Sequence, residues 1–243
     1  GRKDAEDSGS AVTLDDRLAQ ASNSRPVFSP DGTRIAYITD RQNYAGVRVT
    51  DRKTFIDRCV VGYKYEFIKK NGSGLSWSPD GRLLAFAVKD GGRQDICIWD
   101  VENGEKARWN AGFDAVESPR FSPDGATIAF TGIKNGYSDV YTASVDGNNL
   151  RRLTNDRWYD TSAAWFPGGS KIVYASLRNG ITHLYTLDFA DGKTDQLTSG
   201  EHNDDMPDVS PDGKYIAFTS SGTSGIYDLC RMDLQSKEIT RLT

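Results

Sequence analysis

Three aspartates in the chain have a spacing that would suit carboxylate chemistry. Asp160 and Asp204 each lie seven residues before a proline, Pro167 and Pro211, and Asp208 lies three residues before the second proline. Two carboxylates that face one sugar are the arrangement by which most glycoside-hydrolysing enzymes act. The alternative is that Asp160 and Asp204 accept backbone N–H groups in a local turn, and their recurrence at one spacing favours this interpretation.

These prolines belong to a ten-residue segment that the chain repeats five times. The copies read FSPDGTRIAY, WSPDGRLLAF, FSPDGATIAF, WFPGGSKIVY and VSPDGKYIAF, and they begin at Phe28, Trp77, Phe121, Trp165 and Val209. Their prolines are separated by 49, 44, 44 and 44 residues. A period of roughly 40–45 residues is typical of one four-stranded propeller blade.

The local chemistry of each repeat indicates strands joined by tight turns. Proline sets φ, aspartate bonds its own backbone, and glycine takes positive φ, so Ser-Pro-Asp-Gly predicts a turn between two strands. Gly168 replaces the aspartate in the fourth copy, and we expect a looser turn there. A third strand and a fourth strand ending in RRLT, DQLT or TRLT complete the unit, and helical periodicity is almost absent.

The predicted fold class is therefore all-β, a β-propeller of five four-stranded blades. We place the blades at about 25–70, 71–112, 113–156, 157–200 and 201–243, after a tail or leftover strand at 1–24. We expect a closed five-bladed ring, and the alternative is a part of a larger six- or seven-bladed propeller. One bulky residue before each turn (Phe28, Trp77, Phe121, Trp165 and Val209) is expected to form a wedge between blades.

The repeat also resembles a known family. The segment LTNDRWYDTSAAWFPGGSKIVYASLRNGITHLYTLDFADGKTDQLT is similar to the repeat of TolB-type propellers, and to the propellers of tricorn and prolyl-oligopeptidase-like enzymes. The resemblance covers about Arg25 to Thr243, and it implies the fold more strongly than a function. It implies a periplasmic or extracellular setting, although TolB has six blades and an amino-terminal domain with no counterpart before Arg25.

Composition and motifs narrow the function classes. The net charge is −4 and the basic residues are scattered, so we expect no nucleic-acid binding. No run of 18 apolar residues predicts a membrane span. The chain has no G-x-S-x-G nucleophile elbow, and of its two histidines only His202 lies in a loop beside carboxylates, where a solvated role is the commoner one. We expect no enzyme activity, no cofactor and no metal.

The cysteines carry no signal for a site. Cys59, Cys97 and Cys230 lie far apart without metal-ligand spacing, and we interpret them as small buried residues on strands.

Up-and-down strand order sorts the loops onto two faces. The Ser-Pro-Asp-Gly turns and the turns between third and fourth strands lie on one, which we call the turn face. The loops between second and third strands and between blades lie on the other, the loop face. Counting back seven and three residues from the motif prolines places candidate channel-mouth residues on the innermost strands: Asn23, Arg120, Asp160, Asp204 and Asp208.

Aromatic residues cluster in the segments of the loop face. The candidate partner-binding residues are Tyr44, Tyr63, Tyr65, Phe67, Tyr137, Trp158 and Tyr159. Tyrosine and tryptophan give large contact area at low entropic cost, although such rings can instead cover blade edges. We predict a monomeric, non-enzymatic scaffold that binds a protein or peptide, with a glycan-active propeller or the gate of a peptidase as alternatives.

Overall fold

The computed structural model describes residues 23–39, 46–62, 66–67, 74–222 and 225–243. Twenty-one strands in this part of the chain form five antiparallel sheets, which are the blades of a β-propeller. Blade one contains β1 (Asn23–Phe28), β2 (Arg34–Thr39), β3 (Gly46–Asp51) and β4 (Asp57–Val61). Blade two contains β5 (Glu66–Phe67), β6 (Ser76–Trp77), β7 (Leu83–Asp90), β8 (Arg93–Asp100) and β9 (Gly104–Trp109).

The other three blades contain four strands each. Blade three contains β10 (Ala115–Phe121), β11 (Thr127–Lys134), β12 (Tyr137–Ser144) and β13 (Arg151–Arg152). Blade four contains β14 (Tyr159–Trp165), β15 (Lys171–Arg178), β16 (Ile181–Asp188) and β17 (Thr194–Gln196). Blade five contains β18 (Asp204–Val209), β19 (Tyr215–Ser220), β20 (Asp228–Asp233) and β21 (Ile239–Arg241). The predicted all-β propeller of five blades is confirmed, and no helix occurs in these residues.

Blade two departs from the others at its innermost position, where β5 and β6 both pair with β7. Phe67 pairs with Val88, at the register where Val116 pairs with Gly132 in blade three. The following motif proline is twelve positions away in blade two and seven in blade three, so the five additional residues of this repeat lie within the innermost edge. The predicted boundary at residue 70 is therefore wrong, because β5 already belongs to blade two.

The Ser-Pro-Asp-Gly turns are closed by one repeated set of hydrogen bonds. In blade one, Ser29 donates its hydroxyl to Asp31 at 2.5 Å, and Gly32 donates its N–H to the Ser29 carbonyl at 2.8 Å. The same bonds recur at Ser78, Ser122 and Ser210. In blade four only the backbone bond remains, from Gly169 to Phe166 at 2.9 Å. That turn keeps its backbone closure and lacks the side-chain bonds.

The L-T ending of the fourth strand has a structural role as well. Thr154, Thr198 and Thr243 each accept, on the side-chain hydroxyl, the N–H of a third-strand residue (Val140, Leu184 and Leu229 respectively) at 2.9–3.0 Å. The bond holds the end of the outer strand against its own blade. It explains why threonine recurs there.

Four apolar clusters hold the blades together, between one and two, two and three, three and four, and four and five. Trp77 and Phe121 are buried within them, and Trp165 and Val209 pack at their edges, as the wedge prediction requires. Phe28 differs, because it is 58% exposed; the guanidinium of Arg52 lies 5.2 Å from its ring centroid. None of the clusters in the described residues joins blade five to blade one, in agreement with the exposure of Phe28.

The side of blade five that points away from blade four, which we call its far face, is also exposed. Ile96, Val140, Leu184 and Leu229 occupy equivalent third-strand positions that face the following blade. The first three are completely buried, whereas Leu229 is 42% exposed. The closed ring that we expected is therefore not sealed by apolar packing at this junction of the described residues.

The cysteine interpretation is correct for two of three residues. Cys97 and Cys230 are buried free thiols, whereas the free thiol Cys59 is exposed on β4, the outermost strand of its blade. An outer strand has one neighbour only, so its side chains gain less cover. Among the residues described, none forms a helix with the length and hydropathy that a membrane crossing needs.

Candidate functional site at the channel mouth

The innermost strands of four blades carry a β-bulge at one repeated position. The residue five positions before the motif proline has positive φ in each case: Arg25 (58°), Ser118 (50°), Ser162 (56°) and Met206 (53°). A left-handed conformation costs a non-glycine residue about 1–2 kcal/mol. Bulges re-aim neighbouring side chains, and here they do so beside the central channel.

A cavity of about 460 Å³ lies beside these bulges on the loop face. Blades three, four and five contribute its lining, which consists of Glu117, Ser118, Tyr159, Thr161, Ser162, Leu177, Thr182 and Asp205. The wall therefore combines two carboxylates, four hydroxyl groups and a phenol with one aliphatic side chain. Such a surface can hydrogen-bond a polar ligand or peptide and pack against an apolar group.

Glu117 interacts electrostatically with two neighbouring groups at the cavity. Burial raises the pKa of Glu117, and the charge of Arg25 opposes this shift. Burial likewise lowers the pKa of Arg25, which Glu117 counteracts. The pKa of Tyr159 is raised by burial first and by the charge of Glu117 second. Residues of blades one, three and four are thus electrostatically coupled near the mouth.

The aspartates predicted for the mouth lie elsewhere. Asp160 and Asp204 are buried, with 0% and 4% exposure, and neither lines the cavity. Successive side chains of a strand point to opposite sides. Residues six positions before the proline therefore reach the channel mouth, and residues seven positions before it turn into the blade interface. The prediction that Asp160 and Asp204 lie at the mouth is wrong.

Asp160 has an unusual environment for a carboxylate. Its backbone carbonyl accepts the hydroxyl of Ser138 at 2.9 Å, yet neither carboxylate oxygen has a hydrogen-bond partner among the described residues. Burial raises its pKa to about 6, and the nearby hydroxyl groups of Ser176 and Thr154 offset only part of this shift. The alternative role of a turn cap that accepts backbone N–H groups is therefore not observed for Asp160.

The residues three positions before the proline are also away from the cavity. Asp208 is exposed and Arg120 is half-buried, and the backbone carbonyl of Arg120 is bonded to the next blade. Asn23 pairs with Thr39 at the start of β1, and its side chain is outside the described residues. The bulge lies between these residues and the residues that line the mouth.

Only part of the predicted aromatic set can be located. Tyr137 and Tyr159 are 58% and 42% exposed on the loop face, and Tyr159 lines the cavity. Trp158 is half-buried with the guanidinium of Arg157 4.4 Å from its ring centroid. Tyr44, Tyr63 and Tyr65 lie outside the described residues, as does the side chain of Phe67.

Sequence reasoning missed Glu117 and Asp205, the two carboxylates of the cavity. A signal was present, because the position six residues before the motif proline is polar in the four repeats without the additional residues: Ser24, Glu117, Thr161 and Asp205. The bulge that turns this position toward the mouth has no glycine or other local mark in the sequence.

The two histidines do not form a metal site with their neighbours. His183 is buried, and its Nε2 lies 3.2 Å from the carbonyl oxygen of Gly200. His202 is half-buried, and its Nδ1 has no partner in the described part of the chain. No group of three or more His, Cys, Asp or Glu side chains there is arranged to hold a metal ion.

The chain is similar to known proteins in part of its sequence and in its fold. An uncharacterized peptidase, YuxL, of Bacillus subtilis is 32% identical over 96 residues, which are 39% of this chain and 15% of that protein. TolB from Acinetobacter baumannii superposes with a TM-score of 0.70 at 22% identity over 90% of this chain and 56% of its own. Oligogalacturonate lyase from Vibrio parahaemolyticus gives 0.66 at 14% identity over 92% of this chain and 65% of its own.

The chain therefore spans less than two thirds of the length of each of these relatives. Below 25% identity, the two structural likenesses establish the fold alone. The family profile described as the TolB beta propeller domain matches residues 76–243, which is more than half of the chain. The chain belongs to the TolB β-propeller domain family.

Proposed function

We propose that this propeller is a non-enzymatic scaffold that binds a protein or peptide on its loop face, around the channel mouth. The observation that carries the proposal is the mixed polar and apolar cavity beside Tyr159, with Tyr137 exposed on the same face. Exposed tyrosines on a rigid β-frame are common anchors of interfaces. The periplasmic or extracellular setting belongs to the same proposal and rests on the resemblance to TolB.

The charge of the cavity narrows the chemistry of the partner. Asp205 forms no ion pair among the described residues, although its carboxylate accepts the N–H of Met206 at 2.6 Å. It is available to a lysine or arginine of a bound segment. Glu117 is offset by Arg25, so Asp205 is the stronger candidate for a charged contact.

The test is an affinity pull-down from an extract of the source organism. The chain is compared with a Tyr137→Ala/Tyr159→Ala double variant and with Phe55→Ala, which removes an equally exposed ring from the turn face. We expect one protein to be retained by the chain and by Phe55→Ala and lost by the double variant. If no protein distinguishes the three, the proposal fails.

A glycan-active propeller is the second candidate, and the joint presence of Glu117 and Asp205 in one cavity favours it. Its signature would be hydrolysis or binding of oligosaccharides that is lost in Glu117→Gln and Asp205→Asn. A third candidate is the propeller gate of a peptidase, which the partial match to YuxL favours. This candidate would be contradicted if peptides bound at the mouth but a linked hydrolase domain had no effect on that binding.

A further inference from the structure

The interface between blades two and three is filled on its outer side by one tryptophan. Trp109, at the end of β9, donates its indole N–H to the carbonyl oxygen of Val145 at 3.1 Å. Its ring lies 5.3 Å from Phe130 in an edge-on arrangement. Gly147 makes room for it, because a Cβ there would lie 2.5 Å from the indole.

The next interface keeps the same strand register, although Asp191 stands 44 residues after Gly147, and it lacks this side chain. In blade two, Trp109 pairs with Ile96. In blade three, the N–H of Leu153 donates to the carbonyl oxygen of Val140, which is the counterpart of Ile96. Leu153 therefore occupies the position of Trp109, between blades three and four. Val145 lies eight residues before Leu153, and Phe189 lies eight residues before Leu197, the counterpart of Leu153 in blade four. Phe189 therefore occupies the position of Val145. The larger indole has been replaced by a shorter aliphatic chain.

A cavity of about 550 Å³ is present at that position on the turn face. One wall carries Trp165 and Phe189, whose rings meet edge-on with centroids 5.5 Å apart. The other wall carries Thr127 and Thr142, at positions where blade two has the buried Leu83 and Ile98. Smaller and more polar side chains on this wall thus border an open space, while Trp165 and Phe189 on the opposite wall are larger than their counterparts Phe121 and Val145.

The rim of this groove carries two charged side chains of opposite sign, Arg151 and Asp124. Arg151 pairs with Thr142 and replaces Ala107, which pairs with Ile98 in blade two. The guanidinium of Arg151 is exposed and forms no hydrogen bond or ion pair within the described ranges. The carboxylate of Asp124 is held in its own turn, where it accepts the hydroxyl of Ser122 at 2.5 Å and the N–H of Ala126 at 3.0 Å. These bonds lower its pKa, so it keeps its negative charge, and Arg151 is the cationic group of the rim.

We propose that the groove between blades three and four binds a planar aromatic side chain of a peptide that carries an acidic residue beside it. The ring takes the space that Trp109 fills at the preceding interface, against Trp165 and Phe189. A ring N–H or hydroxyl donates to the carbonyl oxygen of Phe189, as Trp109 donates to Val145. The neighbouring carboxylate pairs with Arg151. The groove lies on the opposite face from the channel mouth and is independent of the function proposed there.

The test uses three blocked dipeptides as probes, titrated into the isotope-labelled chain and followed by NMR. Acetyl-Glu-Trp-amide is expected to shift resonances of groove residues in a saturable manner. Acetyl-Gln-Trp-amide should bind about two- to fivefold more weakly, since an exposed ion pair contributes little more than that. Acetyl-Glu-Ala-amide should give no saturable shift.

Two tryptophan variants distinguish the groove from other surfaces. Leu153→Trp should fill the groove from within, as Trp109 fills its own interface, and abolish binding of the Glu-Trp probe. Leu197→Trp makes the same change at the interface of blades four and five and should leave binding unchanged. Unaltered binding in Leu153→Trp would overturn the proposal, as would the absence of saturable shifts with any probe.

Arg151→Gln provides a test at an exposed position, where we expect a substitution to have little effect on folding. This variant should bind the Glu-Trp and Gln-Trp probes equally, because the discriminating charge is gone. If it still prefers the acidic probe, Arg151 is not the partner and the assignment fails. This comparison of the two probes remains informative even if Leu153→Trp does not fold.

Discussion

The indole nitrogen of Trp165 donates a hydrogen bond to the backbone carbonyl oxygen of Arg120 over 3.1 Å, and this bond crosses from blade four to blade three. Trp77 makes the equivalent bond to Val27, from blade two to blade one, at 3.2 Å. In blades two and four, the tryptophan that begins the repeat thus joins its blade to the preceding one by packing and by a directed bond.

Replacing Trp165 with phenylalanine should separate these two contributions. Most of the packing stays, whereas the carbonyl of Arg120 loses its donor, at a cost of about 1 kcal/mol in the free energy of unfolding. Urea denaturation measures this cost, and Trp77→Phe should behave alike. Trp158→Phe is the control, because its indole donates no hydrogen bond to any described residue, and we expect a change below about 0.5 kcal/mol. Equal costs at all three positions would contradict this account.

The buried carboxyl of Asp160 should make stability depend on pH. Its pKa is about 6 in the fold and about 4 in an unfolded chain. The folded state therefore binds the proton more tightly, so this contribution to stability is present below pH 4 and is lost as pH rises through 6. A shift of this size corresponds to about 3 kcal/mol. Asp160→Asn should lack this loss when the free energy of unfolding is measured from pH 4 to 7.

Asp31 provides a control with the opposite sign. Hydrogen bonds from Ser29 and Thr33 lower its pKa to about 2, so its contribution to stability is present above pH 4 and is lost as pH falls toward 2. Asp31→Asn should therefore destabilise the chain at pH 7 and have little effect near pH 2. If both variants changed the pH profile in one direction, the assignment of the two environments would be wrong.

The turn of blade four offers a stabilising substitution. A Cβ added at Gly168 would meet no atom within 4 Å, and the residue has no positive φ. Gly168→Asp therefore fits, and its carboxylate can accept the N–H of Ser170 as Asp31 accepts that of Thr33. We expect a gain of about 1 kcal/mol, which thermal denaturation measures. Gly169→Asp, one residue later, should destabilise, because Gly169 has φ of +71°. A gain in both or in neither would contradict the turn argument.

The exposed face of blade five predicts unequal costs at equivalent positions. Leu184→Ala removes a completely buried side chain between blades four and five and should cost about 2–5 kcal/mol. Leu229→Ala removes a side chain that is 42% exposed and should cost less than about 1 kcal/mol. Chemical denaturation of the two variants compares them directly. Similar large costs would mean that the far face of blade five is covered in solution.

Sequence reasoning located the repeat unit well and the site poorly. The turns around Ser29, Ser78, Ser122 and Ser210 follow from local chemistry, because each closes through bonds within six residues. The channel mouth depends on which side of a strand each residue faces. An unmarked bulge at Ser118, Ser162 and Met206 changes that side, and the positions chosen for the site were therefore displaced to Asp160, Asp204 and Asp208.

What the sequence by itself determined is the all-β class, the blade period and the turn chemistry, because these depend on contacts among near neighbours in the chain. Only the tertiary structure decided that Glu117, Tyr159 and Asp205 share one cavity and that Leu229 is left uncovered. It also showed that Leu153 leaves open a space that Trp109 fills one blade earlier. The physical reason is that cavities and uncovered faces depend on packing between blades, whose equivalent residues lie about one repeat period apart in the chain.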